Sequence, residues 1–197
     1  MEFAPRTAHV VIEGIGPLLW GKRVEDRKEG EPGEVYEKRV WKSRFHATKD
    51  GQLIIPSRAL KLALEHAAGQ LQMSVPGRGQ KKFKSVFLCS VMVTPTDIPI
   101  IGKTVDDLVP LEMFVPSDGT SGGGKRVDKT FPLLEDWTME PQIVLLDQAI
   151  SENALTSHLE AAGVFSGLGM WRAAKGGAYG RFRVASLKIT EGASFAS

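Results

Sequence analysis

The sequence predicts an α+β chain of ferredoxin-like type, and the prediction rests on two helical periodicities set between apolar, β-rich runs. Leu60, Ala63, Leu64, Ala67 and Leu71 recur at helical spacing after Ser57, and Leu155 and Leu159 do so after Ser151. Read in order with the runs around them, the elements are strand, helix, strand, strand, helix, strand, the split βαβ arrangement of the ferredoxin-like fold. With 197 residues, a single domain over 1–197 is expected, carrying insertions at about 21–52 and 97–139.

The first strand is expected from His9 to Trp20, where β-branched residues are interrupted by Gly14, Gly16 and Pro17. Residues Lys22 to Arg44 mix acids and bases around Gly30, Pro32 and Gly33, a composition that predicts a long mobile loop. Its end interleaves Tyr36, Trp41 and Phe45 with Lys38, Arg39, Lys42 and Arg44; at least one of those rings is expected in the core. Leu53-Ile54-Ile55 reads as strand, and Ser57 as the cap of the helix that follows. The run Val86 to Val93 is nearly all apolar, as in a central strand buried on both faces, which would also bury Cys89. Ser151 as N-cap, Glu152 in the first turn and Gly163 past Ala162 bound the second helix. Strands are expected at Ile143 to Leu146 and Phe182 to Ile189.

Composition narrows the function. Cys89 is the only cysteine, so neither an internal disulfide nor a cysteine-rich metal site can form. His9, His46, His66 and His158 are scattered without metal-ligand spacing, and neither a metal nor any other cofactor is expected. No stretch reaches membrane-span length and the N-terminus lacks a signal peptide's apolar segment, so a cytoplasmic protein is expected.

The net charge of +2 says less than its placement. No acid occurs from His66 to Thr96, where Arg78, Lys81, Lys82 and Lys84 crowd together, and none from Ala161 to Thr190, where Arg172, Lys175, Arg181, Arg183 and Lys188 are interleaved with Trp171 and Tyr179. Solvation explains one such segment as well as a ligand does; two favour an anionic ligand. The segment Gly119 to Lys125 has the spacing of a phosphate-binding loop, but Arg126 stands where a magnesium-binding Ser or Thr belongs, and the next residues open no helix. A hairpin tip is the simpler expectation, with Lys125 and Arg126 available to phosphate. Between the second helix and the last strand, Gly169, Gly176 and Gly177 would let main-chain N–H groups approach an anion beside Arg172 and Arg181.

Gly167-Leu168-Gly169-Met170-Trp171-Arg172 and Gly176-Gly177-Ala178-Tyr179-Gly180-Arg181-Phe182 resemble the late glycine-rich loop of the repeat-associated mysterious proteins of CRISPR systems, the RAMP superfamily. Ile55-Pro56-Ser57-Arg58-Ala59-Leu60-Lys61 is similar to that family's first-helix segment, although Arg58-Ala59 and Leu62 stand where it has small residues or glycine. The resemblance is strongest to guide-RNA-binding backbone subunits of effector complexes. It implies a modified RNA-recognition fold with a thumb-like insertion over Lys22 to Phe45. It also implies an antiviral ribonucleoprotein subunit that binds single-stranded RNA, with single-stranded DNA as an open alternative. Such a subunit assembles with copies of itself along the strand and with other effector-complex subunits.

The expected contacts are Lys22, Arg23, Lys42, Arg44, Lys61, Arg78, Lys81, Lys82, Lys125, Arg126, Gly169, Trp171, Arg172, Lys175, Gly176, Gly177, Tyr179 and Arg181. No catalytic residue is expected. Some relatives cut RNA with an aspartate near the first strand, but no matching motif surrounds Asp26. Two other classes stay open: a structural mimic or inhibitor acting through protein contacts, and a metal-dependent RNase using Asp26 or Asp118, Asp128 and Asp136.

Overall fold

The computed structural model of the chain describes residues 4–117 and 124–192. Strand β1 (Arg6–Gly14) buries Ala8, Val10 and Ile12 on one face, the alternation of a sheet with one side in the core. The expected strand to Trp20 is broken, because the chain turns after Gly14 and β2 (Leu18–Leu19) enters a different sheet. Trp137 enforces the turn: a Cβ on Gly14 would lie 2.3 Å from its Nε1, which donates to the Gly16 carbonyl at 3.1 Å.

The insertion contains helix α1 (Gly33–Val40) and a 3₁₀ turn at Trp41–Arg44, so the loop expectation needs correction. Charged side chains order it. Arg39 donates to Asp26 and Glu31, Lys38 to Glu34 one turn back, and the Tyr36 hydroxyl to the Val24 carbonyl. Phe45 is buried, as expected for one of the three rings.

Strand β3 (Gln52–Pro56) leads into α2 (Ser57–Leu71), whose cap position is Pro56 and not Ser57; the Ser57 N–H donates to the Thr96 carbonyl. The apolar run that followed was expected to be a strand to Val93. It is instead helix α3 (Phe83–Ser90) with a short β4 (Val91–Thr94) at the sheet's edge. Phe83, Val86 and Phe87 form one buried helical face, while Leu88 and Cys89 are exposed, which corrects the core placement of Cys89.

Strand β5 (Asp97–Thr104) pairs with β3, and then β6 (Val109–Pro116) and β7 (Arg126–Leu134) form a long antiparallel hairpin. Its tip, with Gly119 to Gly123 of the phosphate-loop-like segment, lies outside the described residues, as does Asp118. The chain closes through β8 (Thr138–Met139), β9 (Gln142–Leu145), α4 (Glu152–Ala161) and β10 (Phe182–Glu191). The Ser151 side chain caps α4 by accepting from the Ala154 N–H. Gly163 does not terminate that helix; the chain runs on through a single π-type turn at Ala162–Ser166 and reverses at Gly167, φ +67°.

The main sheet has seven strands in the order β3-β5-β8-β1-β9-β4, with β10 paired along β1, and β2-β7-β6 form a second sheet. Within the first, β10, β1, β9 and β4 are antiparallel neighbours. Helix α2 lies in the connection from β1 to β4 and α4 in that from β9 to β10, an α+β arrangement compatible with a ferredoxin-like fold. The core joins Leu60, Leu64, Leu155 and Leu159 from the two helices to Val10, Ile12, Ile143 and Leu145 from the sheet. Truncating one of these leucines to alanine costs about 2–5 kcal/mol.

Candidate nucleic-acid interface

Two structures frame the candidate site: the glycine-rich segment after α4, and the groove that its middle faces. The glycines of that segment press the chain against itself. A Cβ on Gly163 would lie 2.0 Å from the Phe182 carbonyl oxygen, one on Gly169 2.2 Å from that of Leu19, and one on Gly180 1.9 Å from that of Leu168. Gly177 is the tightest, 1.7 Å from the Trp171 oxygen. The expectation that Gly177 makes room for a phosphate is therefore corrected, because its missing side chain makes room for Trp171. Gly169 likewise serves the contact with β2, where the Met170 N–H donates to Leu19 at 2.7 Å. Gly176 alone of the three expected contacts faces open space, at φ +75°.

This packing fixes Trp171 at φ +46°, a left-handed backbone that costs a bulky residue about 1–2 kcal/mol. Gly177 and the N–H of Tyr179, 3.2 Å from the Trp171 oxygen, hold it there. The ring lies 5.7 Å from that of Phe131 on β7, at the base of an open groove of about 1770 Å³. The insertion forms one wall and the β6–β7 hairpin the other.

Of the expected contacts, Lys22, Arg23, Arg44, Lys125, Arg126 and Trp171 line this groove. Lys22, Lys125 and Arg126 are exposed, and the Arg126 guanidinium lies 5.9 Å over the Phe114 ring. Arg23 pairs with Glu25 at 3.0 Å. Arg44 is engaged inside the protein: it meets both Glu37 oxygens at 2.8 Å and sits over Phe131, while Glu37 also accepts from the Thr130 N–H. Acids enter the groove too, among them Glu34, Glu112 and Asp128, so its charge is mixed.

The other expected contacts lie elsewhere. Lys42 pairs with Asp106, Arg78 with Asp147, Lys61 donates to the Leu88 carbonyl, and Lys82 to the Ser74 hydroxyl, beside exposed Lys81. Arg172 folds back onto the Gly169 carbonyl at 3.0 Å, and Arg181 donates to that of Val164 at 2.6 Å. Tyr179 is half-buried beside Trp171, and Lys175 is exposed on the 3₁₀ turn Ala173–Lys175. Sequence reasoning missed Phe114 and Phe131, because only the pairing of β6 with β7 brings both rings to the groove.

Electrostatic shifts follow the ion pairs. The Arg39 guanidinium lowers the Glu31 carboxyl to about 2, and the Lys38 ammonium lowers that of Glu34. In the core, burial pushes His158 down; its ring meets Phe87 edge-on and Phe83 at a tilt, and its Nδ1 lies 2.6 Å from the Ala154 oxygen. Asp26 is paired with Arg39 and Asp136 with Lys103, and among the described residues no three His, Cys, Asp or Glu side chains gather to hold a metal. No described helix is long and apolar enough to cross a membrane.

No family model matches the chain, and no curated protein does. Among solved structures 105 chains are similar. One belongs to a structure described as the cryo-EM structure of the Type III-B Cmr-beta bound to cognate target RNA, with a TM-score of 0.58 at 12% identity. The match covers 96% of this chain and 62% of that one, so the chain spans less than two thirds of its neighbour's length, and the likeness is one of fold.

Proposed function

We propose that the protein is a non-catalytic subunit that binds single-stranded RNA by its backbone within a CRISPR-type effector or related ribonucleoprotein. On this reading the fold is a modified RNA-recognition fold of the RAMP type, and copies of the chain assemble along the strand. The observation that carries it is the convergence of cations from two remote segments, Lys22 and Lys125-Arg126, on one groove with Trp171 at its base. Phosphates would run between the insertion and the hairpin, and a base would stack on Trp171, worth about 1–3 kcal/mol. The sheet itself offers little such platform: β1, β4, β9 and β10 carry no Tyr or Trp, their one Phe, Phe182, is buried, and the exposed His9 ring lies against Thr190.

Fluorescence anisotropy with homopolymeric RNA over a salt series tests this. Affinity should fall steeply with salt and vary little with sequence, and Lys125→Ala with Arg126→Ala should reduce the salt slope by about 1.4. Salt-independent or strictly sequence-specific binding would sink the reading, and cleavage that depends on magnesium would replace it with the nuclease. Light scattering on RNA of increasing length should give stepwise larger particles.

A role through protein contacts is the second reading. It is favoured by exposed Leu62, Leu88 and Met92 near the edge strand β4. Salt-insensitive association with a protein partner would support it.

A further inference from the structure

The glycine-rich segment borders a second hollow as well as the groove. It holds about 520 Å³ between the end of α2 and the 3₁₀ turn, and is lined by His66, Gln70, Leu71, Phe165, Ala173 and Ala174. We infer that this hollow receives one base of the bound RNA strand, stacked on Phe165. The inference rests on the RNA-binding reading above and extends it to a site beyond the groove.

Phe165 is the first argument. It stands on the π-type turn with 52% of its surface exposed, although a buried ring would gain hydrophobic stabilisation. The chemistry of the walls is the second. Phe165 and the His66 imidazole are flat faces suited to stacking, and the Gln70 amide carries both donors and acceptor for a base edge. Ala173 and Ala174 present only methyl groups, so they narrow the hollow without filling it. None of the lining side chains is acidic.

Continuity is the third argument. Met170 and Trp171 line the groove, while Ala173 and Ala174 line the hollow, so one short stretch of chain is a wall of both. Exposed Lys175 and Gly176 follow at once, and nothing lies within 4 Å of where a Gly176 Cβ would be. A phosphate can therefore cross there beside an ammonium group, leaving the next base turned into the hollow.

The test is photocrosslinking of oligouridylate of about 12 nucleotides substituted with 5-iodouridine, a length within the range of single-strand binding sites. Crosslinked peptides are identified by mass spectrometry and affinity is measured in parallel. The wild-type protein and Phe165→Tyr should crosslink at position 165. Phe165→Leu should lose that crosslink and bind about tenfold more weakly, with an unchanged melting temperature because the side chain is half exposed. Crosslinks at Trp171 or Phe114 but none at Phe165, together with full affinity of Phe165→Leu, would overturn the base site and leave the groove reading intact. Weaker binding without a crosslink at 165 in the wild type would also overturn it, since Phe165 would then act without stacking. Absence of any binding would overturn the RNA reading itself.

Discussion

The segment from Gly163 to Gly180 and the insertion from Lys22 to Phe45 meet at one groove, yet they hold their shapes by opposite means. The first is shaped by absent side chains, which let carbonyl oxygens approach within the volume that a methyl group would occupy. The second is shaped by long charged side chains that reach across it, Arg39 to Asp26 and Glu31, Arg44 to Glu37. Main-chain contacts inside packed structure are little affected by salt or pH, whereas ion pairs open to solvent, such as Arg39 with Asp26, respond to both. One wall of the groove should thus be tuned by solution conditions while its base stays fixed.

The sharpest way to break that contrast is to add a side chain where none fits. Gly177→Val should destabilise the fold by about 3 kcal/mol, because its Cβ must displace the Trp171 main chain. Urea denaturation measures this, and unchanged stability would show that the loop is looser than its contacts imply. Arg44→Ala should cost about 2 kcal/mol, less than a fully buried pair because both partners retain some solvent contact. Its thermal melt should show that loss, and Glu37→Gln should share it without adding to it in the double variant. Gly176→Ala, which meets open space at a positive φ, should cost about 1 kcal/mol and leave neighbouring packing unchanged. The ratio between the two glycine variants separates clash from backbone strain.

Acidification should produce the smallest effect, and of the two segments it should act on the insertion. Arg39 and the Lys28 N–H hold Glu31 ionised in the fold, lowering its pKa from 4.5 to about 2. The stabilisation is therefore complete above about pH 4.5 and is lost as pH falls toward 2. Limited proteolysis across that window should cut between Lys22 and Phe45 before it cuts between Gly163 and Gly180.

The same contrast explains what the sequence disclosed. Helices α2 and α4 and strands β9 and β10 were legible because their apolar spacing matches their burial. Helix α3 was hidden, since Phe83, Val86 and Phe87 lie within an otherwise apolar run where helical and strand periods read alike. The order of the insertion was partly visible in the spacing of Glu34 and Lys38, but Arg39 finds Asp26 and Glu31 only once the chain has turned back. The glycines announced a close approach without saying whether to a ligand or to the protein's own chain; at Gly169, Gly177 and Gly180 it is the latter. Convergence of Lys22 with Lys125 and Arg126 is a long-range property, and no local pattern encodes it.

The short turn from Gly14 to Leu19 has a mechanical consequence. Pro17 and Leu19 accept from Gly180 and Met170 of the glycine-rich segment, and the next residue, Trp20, donates to Pro132 of the hairpin. Three main-chain bonds within four residues thus tie the base of the groove to its far wall. A tilt of the hairpin is passed through this turn to the glycine-rich segment, so that two sides of the groove share one hinge.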